Sequence, residues 1–404
     1  MQSERGRPGT MMTERLDHAP PTVSPLYDPR FRAIAYQVAL CLLLGFLAYA
    51  AIENAASNLA RASITTGFAF WNNIAGFDIS QTLISYSAET STYGRAFWGG
   101  LLNTLLVAGL GVVFATMLGF LIGVARLSTN FLVARLAAAY IEIVRNIPLL
   151  LQLLFWYNAV LKALPEVRAS LALPGGGLLN NRGLFLPRPE LGGADAIMLA
   201  LLAGLAAALV FWLLRARLKR LGSGLAALAV TALLVLGPPV VAFLASGASL
   251  AFVYPEIGRF NIRGGIEILP EFAALLAGLV IYTAAFIAEV VRAGLAAVSK
   301  GQTEAAYALG LRRGATLRLI VIPQAMRVII PPLTNQYLNL TKNSTLAVAI
   351  GYPDLVQVFA GTVLNNTGQA VEVVVITMGV YLAISLATSL LMNWYNARTA
   401  LVER

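Results

Sequence analysis

Four sets of polar residues interrupt long apolar runs in this sequence, and they are where chemistry could be done. Glu142 and Arg145 stand three apart in "YIEIVRNIPLLLQLLFWY" (Tyr140–Tyr157), and Glu289 and Arg292 repeat that spacing. Residues i and i+3 are neighbours on a helix, so each acid can neutralise its own arginine. That structural pairing is the reading adopted for both; a gate beside the kink expected at Pro148 is the alternative for the first. Lys342 in "LTKNSTLAVAIGYPDL" (Leu340–Leu355) has no acid within four residues and is flanked by Thr341, Asn343 and Ser344. Such an ammonium can bind an anion, snorkel to an interface, or meet an acid on another subunit. The fourth set is "EAAYALGLRRGATLRLIVIP" (Glu304–Pro323), with one carboxylate, three arginines and two glycines.

Much chemistry is excluded by what accompanies them. The single histidine, His18, lies in a polar N-terminal stretch, and the single cysteine, Cys41, lies in an apolar run, where it reads as a core thiol. Zinc sites and Cys-His or Ser-His-Asp catalysis therefore lack their parts, and no catalytic or metal residue is assigned. No G-x-x-x-x-G-K-[ST] string occurs to cradle a nucleotide.

The elements that position these groups follow from composition. Hydrophobic residues make up 58% of the 404 residues, charged ones 12%, and mean hydropathy is +0.74. Windows of about 20 apolar residues mark membrane-spanning helices. They fall at 33–53, 98–125, 134–161, 195–214, 225–246, 271–296, 325–348 and 372–394, so the fold class is all-α, a polytopic transmembrane bundle of about eight spans. Ala48 and Ala50 resemble a signal cleavage site, but the first run is too long and its flank too acidic, which predicts a retained helix. The formal charge of +10 does not indicate nucleic acid, because the basic residues sit at span ends instead of forming a stripe. Most of them, including Arg5, Arg7, Arg15, the "RARLKR" run from Arg215 to Arg220, Arg312 and Arg313, share one side if both termini are cytoplasmic. The Glu304–Pro323 segment then faces the cytoplasm.

Within that segment, Ser299 with Gln302 fits a capping box, Thr303 to Leu309 are helix formers, and Gly310 is placed to end the helix in a left-handed turn. A second short helix is expected from Gly314 to Pro323, which closes it. Glu304 lies near the positive end of the first helix dipole. "LPGGGLLNNRG" (Leu173–Gly183) reads as an exposed outer loop.

The spacing of E-A-A, Gly310, Ile320 and Ile322-Pro323 resembles the "EAA" loop of ABC importer permeases. Tyr140–Tyr157, "FIAEVVRAGLAAVSKGQTEAAYALG" (Phe286–Gly310) and Leu340–Leu355 look like signatures of the polar-amino-acid branch, the histidine/glutamate/glutamine/arginine/opine group. The longer layout is similar to a permease subunit of the general L-amino-acid importer. The resemblance implies a type I ABC importer permease fold: a cytoplasmic tail (1–32), an extra helix (33–53), a core in two parts (90–165 and 266–400), and an inserted block (166–265) with two spans and external loops. It implies that 299–323 is a coupling loop docking an ATPase through Glu304, Ala305, Ala306, Gly310, Arg312 and Arg313. Lys342, Asn343 and Ser344 become candidates for holding the α-carboxylate of an amino acid. No cofactor is bound by the chain itself; ATP and Mg are used by a partner. Implied partners are a second permease subunit, identical or different, two ATP-binding subunits, a periplasmic amino-acid-binding protein and the lipid of the inner membrane. The competing class is an ion-coupled secondary transporter, which would need coupling-ion sites and inverted repeats.

Overall fold

The computed structural model describes residues 29–61, 67–191, 194–218, 224–246, 250–259 and 261–399 of the chain. Two units are distinguished, 1–66 and 67–404. The first contributes one described helix, α1 (Pro29–Arg61). None of its apolar window, Phe31–Asn54, is buried within that unit. Cys41 is consequently exposed on the helix surface and is not the core thiol expected, because its unit holds no second described element to cover it. A helix this apolar all round belongs in lipid or against other apolar helices. His18, Arg5, Arg7 and Arg15 lie outside the described residues.

The second unit begins with α2 (Tyr93–Ala125), α3 (Phe131–Asn146) and α4 (Leu149–Leu154), the last continuing as a π-helical turn, Phe155–Leu161. Strands β1 (Leu171–Leu173), β2 (Gly177–Asn180), β3 (Gly183–Leu186) and β4 (Arg188–Leu191) follow. Next come the helices α5 (Ala194–Leu218) and α6 (Gly224–Ala245), and strands β5 (Leu250–Val253), β6 (Glu256–Ile257), β7 (Ile262–Arg263) and β8 (Ile266–Ile268). The remainder is helical: α7 (Pro270–Ala296), α8 (Lys300–Ala308), α9 (Arg313–Thr316), α10 (Ile322–Asn343), α11 (Leu364–Thr367) and α12 (Ala370–Thr399). Among the described residues, seven helices are long and apolar enough to cross a membrane, and α3 with Leu149–Leu161 makes an eighth, bent candidate. Each of the eight expected windows falls on one of them.

The core forms where α2 lies along α7 and α7 along α10. Lipid gives little hydrophobic drive for helices to associate, so small residues that let backbones approach carry the packing. Gly119 and Gly123 of α2 abut Ile287, Ala288 and Val291 of α7, all fully or almost fully buried. Gly294 of α7 similarly receives Ile329 of α10.

After α10 the chain turns through Gly351, whose φ of 79° is left-handed, into a buried polar junction. Asp354, fully buried, accepts from the Gln357 backbone N–H (2.8 Å) and the Tyr381 hydroxyl (3.3 Å). The Asn103 side chain donates to Pro353 O (2.9 Å) and Gln81 O (2.7 Å), while Thr104 Oγ1 accepts from the Leu355 N–H (3.0 Å). Here α2 and α12 are tied to the segment following α10.

The stretch expected as an outer loop, Leu173–Gly183, is instead part of an antiparallel sheet in the order β1-β2-β3-β8. Gly175 and Gly176 adopt φ of 86° and 83° and close the β1–β2 hairpin, a turn that suits the strand twist. β3 pairs with β8 (Leu184 opposite Ile268), and β4 pairs with β5 (Arg188 opposite Val253). These pairings gather both ends of the 166–265 block, so the α5–α6 hairpin springs from a β base.

Candidate functional site

The chain leaves α7 and enters α8 at Ser299, as expected, but there is no capping box. The Ser299 side chain makes no cap bond, and Gln302 instead accepts from Gln324 Nε2 of α10 at 3.3 Å. A cross-helix partner has displaced the local one. The C-terminus is as the sequence predicts. Gly310 has φ 75°, its N–H donates to Tyr307 O (2.9 Å) and the Leu311 N–H donates to Ala306 O (3.1 Å). These two bonds make a Schellman ending.

Pro323 does not close the next helix. α9, a π-helical turn at Leu317–Val321, and α10 run on as one rod, with a membrane-span candidate from Arg313 to Ile350. The widened turn immediately before the proline accommodates a ring that cannot donate to a regular α ladder. A short helix is thus joined through one turn to a continuous span.

The six docking candidates are divided by burial. Ala306 is 1% exposed and packs inward, so it seats the helix. Glu304, Ala305, Gly310, Arg312 and Arg313 are exposed. Tyr307 (48%) and Leu309 (80%) are exposed beside them, and sequence reasoning missed both. Their signal was available: large apolar side chains on α8 and at its C-cap, apart from buried Ala306, in a segment outside the predicted spans.

Within the spans, the expected Glu142–Arg145 pair is not formed. Among the described residues Glu142 makes no ion pair, and the Arg145 guanidinium lies over the Phe286 ring of α7, 5.0 Å from its centroid. Cation–π contact across helices has replaced pairing along one helix. Glu289 and Arg292 do pair, through two bonds of 2.6 and 2.9 Å. Arg145, Phe286, Glu289, Val328, Pro332 and Gln336 line a cleft of about 260 Å³ between α3, α7 and α10.

The kink at Pro148 is a 103° break between α3 and α4. Ile147 takes an extended conformation before the proline (φ −99°, ψ 127°), as the ring requires. Gln152 then caps the broken end, donating from Nε2 to Val144 O and Ile147 O, each at 2.9 Å. Gln152→Leu is expected to destabilise the protein by about 1–3 kcal/mol, since it strands partly buried carbonyls. Thermal unfolding of the purified protein, compared with Gln152→Glu, reads this; an unchanged midpoint for the leucine variant would show that the bend needs no such cap.

The three carboxylate-binding candidates do not converge. Ser344 is fully buried, and its Oγ donates to Thr341 O at 2.8 Å. Asn343 is half-buried and Lys342 exposed, with no ion-pair partner for the ammonium among the described residues. Lys342 belongs instead with Asn335 and Asn339, a helically spaced, exposed polar stripe on α10 opposite buried Ile329, Ile330, Leu333 and Leu340. A charge facing acyl chains costs about 2.5–3.5 kcal/mol, so this stripe suits a watery path or another subunit.

Residues 115–401 match the family described as binding-protein-dependent transport system inner membrane component. The chain is 49% identical over 385 residues to the general L-amino acid transport system permease protein AapQ of Rhizobium johnstonii, covering 94% of this chain and 95% of that protein. It is 50% identical over 380 residues to the putative amino-acid ABC transporter permease protein YhdX of Escherichia coli (93% and 96% covered). It is 43% identical over 415 residues to the glutamate/glutamine/aspartate/asparagine transport system permease protein BztB of Rhodobacter capsulatus (94% and 96% covered). The ion-coupled alternative draws no support from these relatives. With a bundle of apolar spans, an exposed short helix joined to one of them and a family match over most of its length, the chain belongs to the inner membrane components of binding-protein-dependent transport systems.

Proposed function

We propose that this chain is the permease subunit of an ATP-binding-cassette importer that takes up L-amino acids, of broad or polar range, by alternating access. The observation that carries the reading is the placement of α8: seated by Ala306, exposed at Glu304, Tyr307 and Leu309, and joined through a Schellman turn to the rod that becomes α10. A rigid helix in that position can convert closure of two ATPase subunits into movement of a span. ATP and Mg are used by those subunits. A second permease, identical or different, completes the pathway, and an external binding protein delivers the amino acid. Residues 90–165 and 266–400 form the working core around the 166–265 block, with both termini cytoplasmic. Lys342, on the exposed side of α10, and half-buried Asn343 beside it meet the substrate carboxylate; Ser344 supports the turn behind them.

Reconstitution of the complete importer in vesicles tests this. Uptake of labelled L-amino acids should require ATP on the α8 side and the binding protein on the other, and should persist when ionophores collapse ion gradients. Uptake that follows an ion gradient without ATP would refute the reading.

A further inference from the structure

The cleft of about 260 Å³ between α3, α7 and α10 carries charge that the packing does not consume. The Arg145 guanidinium is exposed, lies 5.0 Å from the Phe286 ring centroid and has no ion-pair partner among the described residues. In the same lining, Glu289 accepts a bond from Arg292 on each of its carboxylate oxygens. A carboxylate offers about four lone-pair directions, so both oxygens keep capacity for a further donor. Gln336 adds an amide, and Val328 and Pro332 add an apolar wall.

The walls are fixed against one another. The Tyr140 hydroxyl of α3 donates to Ile281 O of α7 (2.6 Å), and Ile329 of α10 packs at Gly294 of α7. A guanidinium stacked on an aromatic face keeps its N–H edge free to receive a carboxylate.

Both signs of charge bear on the ligand. Arg145 alone would suit any small anion, but Glu289 in the same lining repels one. A zwitterion satisfies both, with its carboxylate on Arg145, its ammonium on Glu289 and its side chain along Val328 and Pro332. The cleft is smaller than the roughly 300–1,000 Å³ of drug-sized ligand pockets, which limits the occupant to about one amino acid.

Depth separates this cleft from the residues placed on the substrate carboxylate. Pro332 precedes Lys342 by ten residues of α10, about 15 Å at a helical rise of 1.5 Å per residue. Glu289 stands seven residues, about 10 Å, before the end of α7 at Ala296, beyond which the chain enters α8. An exposed arginine at this end of the bundle calls for water instead of acyl chains around it.

We propose that the cleft binds a cytoplasmic amino acid by its α-carboxylate and α-ammonium, so that accumulated product slows the transport cycle. This rests on the importer reading, which places α8 in the cytoplasm. Product held at the exit must leave before the next turn, so occupancy lowers turnover.

The test uses the complete importer in proteoliposomes. The binding protein and a mixture of the standard L-amino acids are sealed in the lumen, ATP is supplied outside, and phosphate release is read from importers whose ATPase subunits face outward. L-Alanine added outside should inhibit; propionate, which lacks the ammonium, should not. Arg145→Gln should raise the half-inhibitory L-alanine concentration roughly tenfold or more, measured against its own uninhibited rate, as loss of a charge-assisted bond implies. Lys342→Gln should be inhibited at the same concentration as the natural chain. Co-purifying ATPase subunits verify assembly. Should Arg145→Gln fail to assemble, Val328→Trp, at a residue 48% exposed, fills the cleft and decides by the same criterion. A natural importer that outside L-alanine does not inhibit, equal inhibition by propionate, or an unchanged half-inhibitory concentration in Arg145→Gln overturns the proposal. A natural importer that the luminal binding protein fails to stimulate overturns the importer reading itself, a different result from stimulation without inhibition.

Discussion

Glu304→Lys is expected to reduce ATP-driven uptake by roughly tenfold or more while leaving the chain inserted and folded, because like-charge contact at an interface costs several kcal/mol. Glu304 is exposed on α8, and the nearest charges along the chain are basic: Lys300 before it, Arg312 and Arg313 after. It supplies the negative charge in this patch, so reversal makes the surface uniformly positive. The effect on α8 itself is small. Glu304 was expected near the positive end of the α8 dipole, but it lies past the first turn, in the middle of α8, so reversal costs little through the dipole, and the helix is held by buried Ala306 and by the Gln302–Gln324 bond. Co-purification of the ATPase subunits and substrate-stimulated ATP hydrolysis are the readouts. Leu309→Asp, at a residue 80% exposed, should act in the same direction. If both variants capture the ATPase and transport normally, α8 is a connector and the docking role fails.

Gly123→Val is expected to destabilise the bundle by about 3 kcal/mol or more, the upper end of overpacking. A Cβ there would stand 2.7 Å from Ala288 O and 2.8 Å from Val291 Cβ. The first is backbone, so relief requires moving α7 bodily. Gly119 is equally constrained, with Ile287 Cβ at 2.6 Å. Gly109, on the same helix, has nothing within 4 Å of a built Cβ. Gly109→Val should therefore stay within about 1 kcal/mol, the scale of helix propensity. Thermal unfolding and monodispersity of the two variants separate these expectations. Equal stability would mean that α2 and α7 are free to move apart.

What the sequence determined alone was whatever a local rule decides. Apolar windows fell on all seven candidate spans among the described residues and on the bent eighth, because transferring some 20 residues into lipid depends on composition and hardly on neighbours. Gly310 ended α8 because few other residues tolerate its φ, and Glu289 met Arg292 because one helical turn brings them together. Identical spacing failed at Glu142 and Arg145, where Phe286 of another helix offered the guanidinium an alternative. Pro148 foretold a kink, but at the 103° break Gln152 reaches back to the partly buried carbonyls that the proline leaves unpaired. Two residues apart in sequence, Lys342 and Ser344 parted because a helix turns about 100° per residue, and only the packing of α10 decided which side is inside. The β base was the least legible part. Gly175 and Gly176 mark its hairpin, yet β3 finds β8 only after the chain has passed through both α5 and α6, and no local propensity encodes so distant a partner.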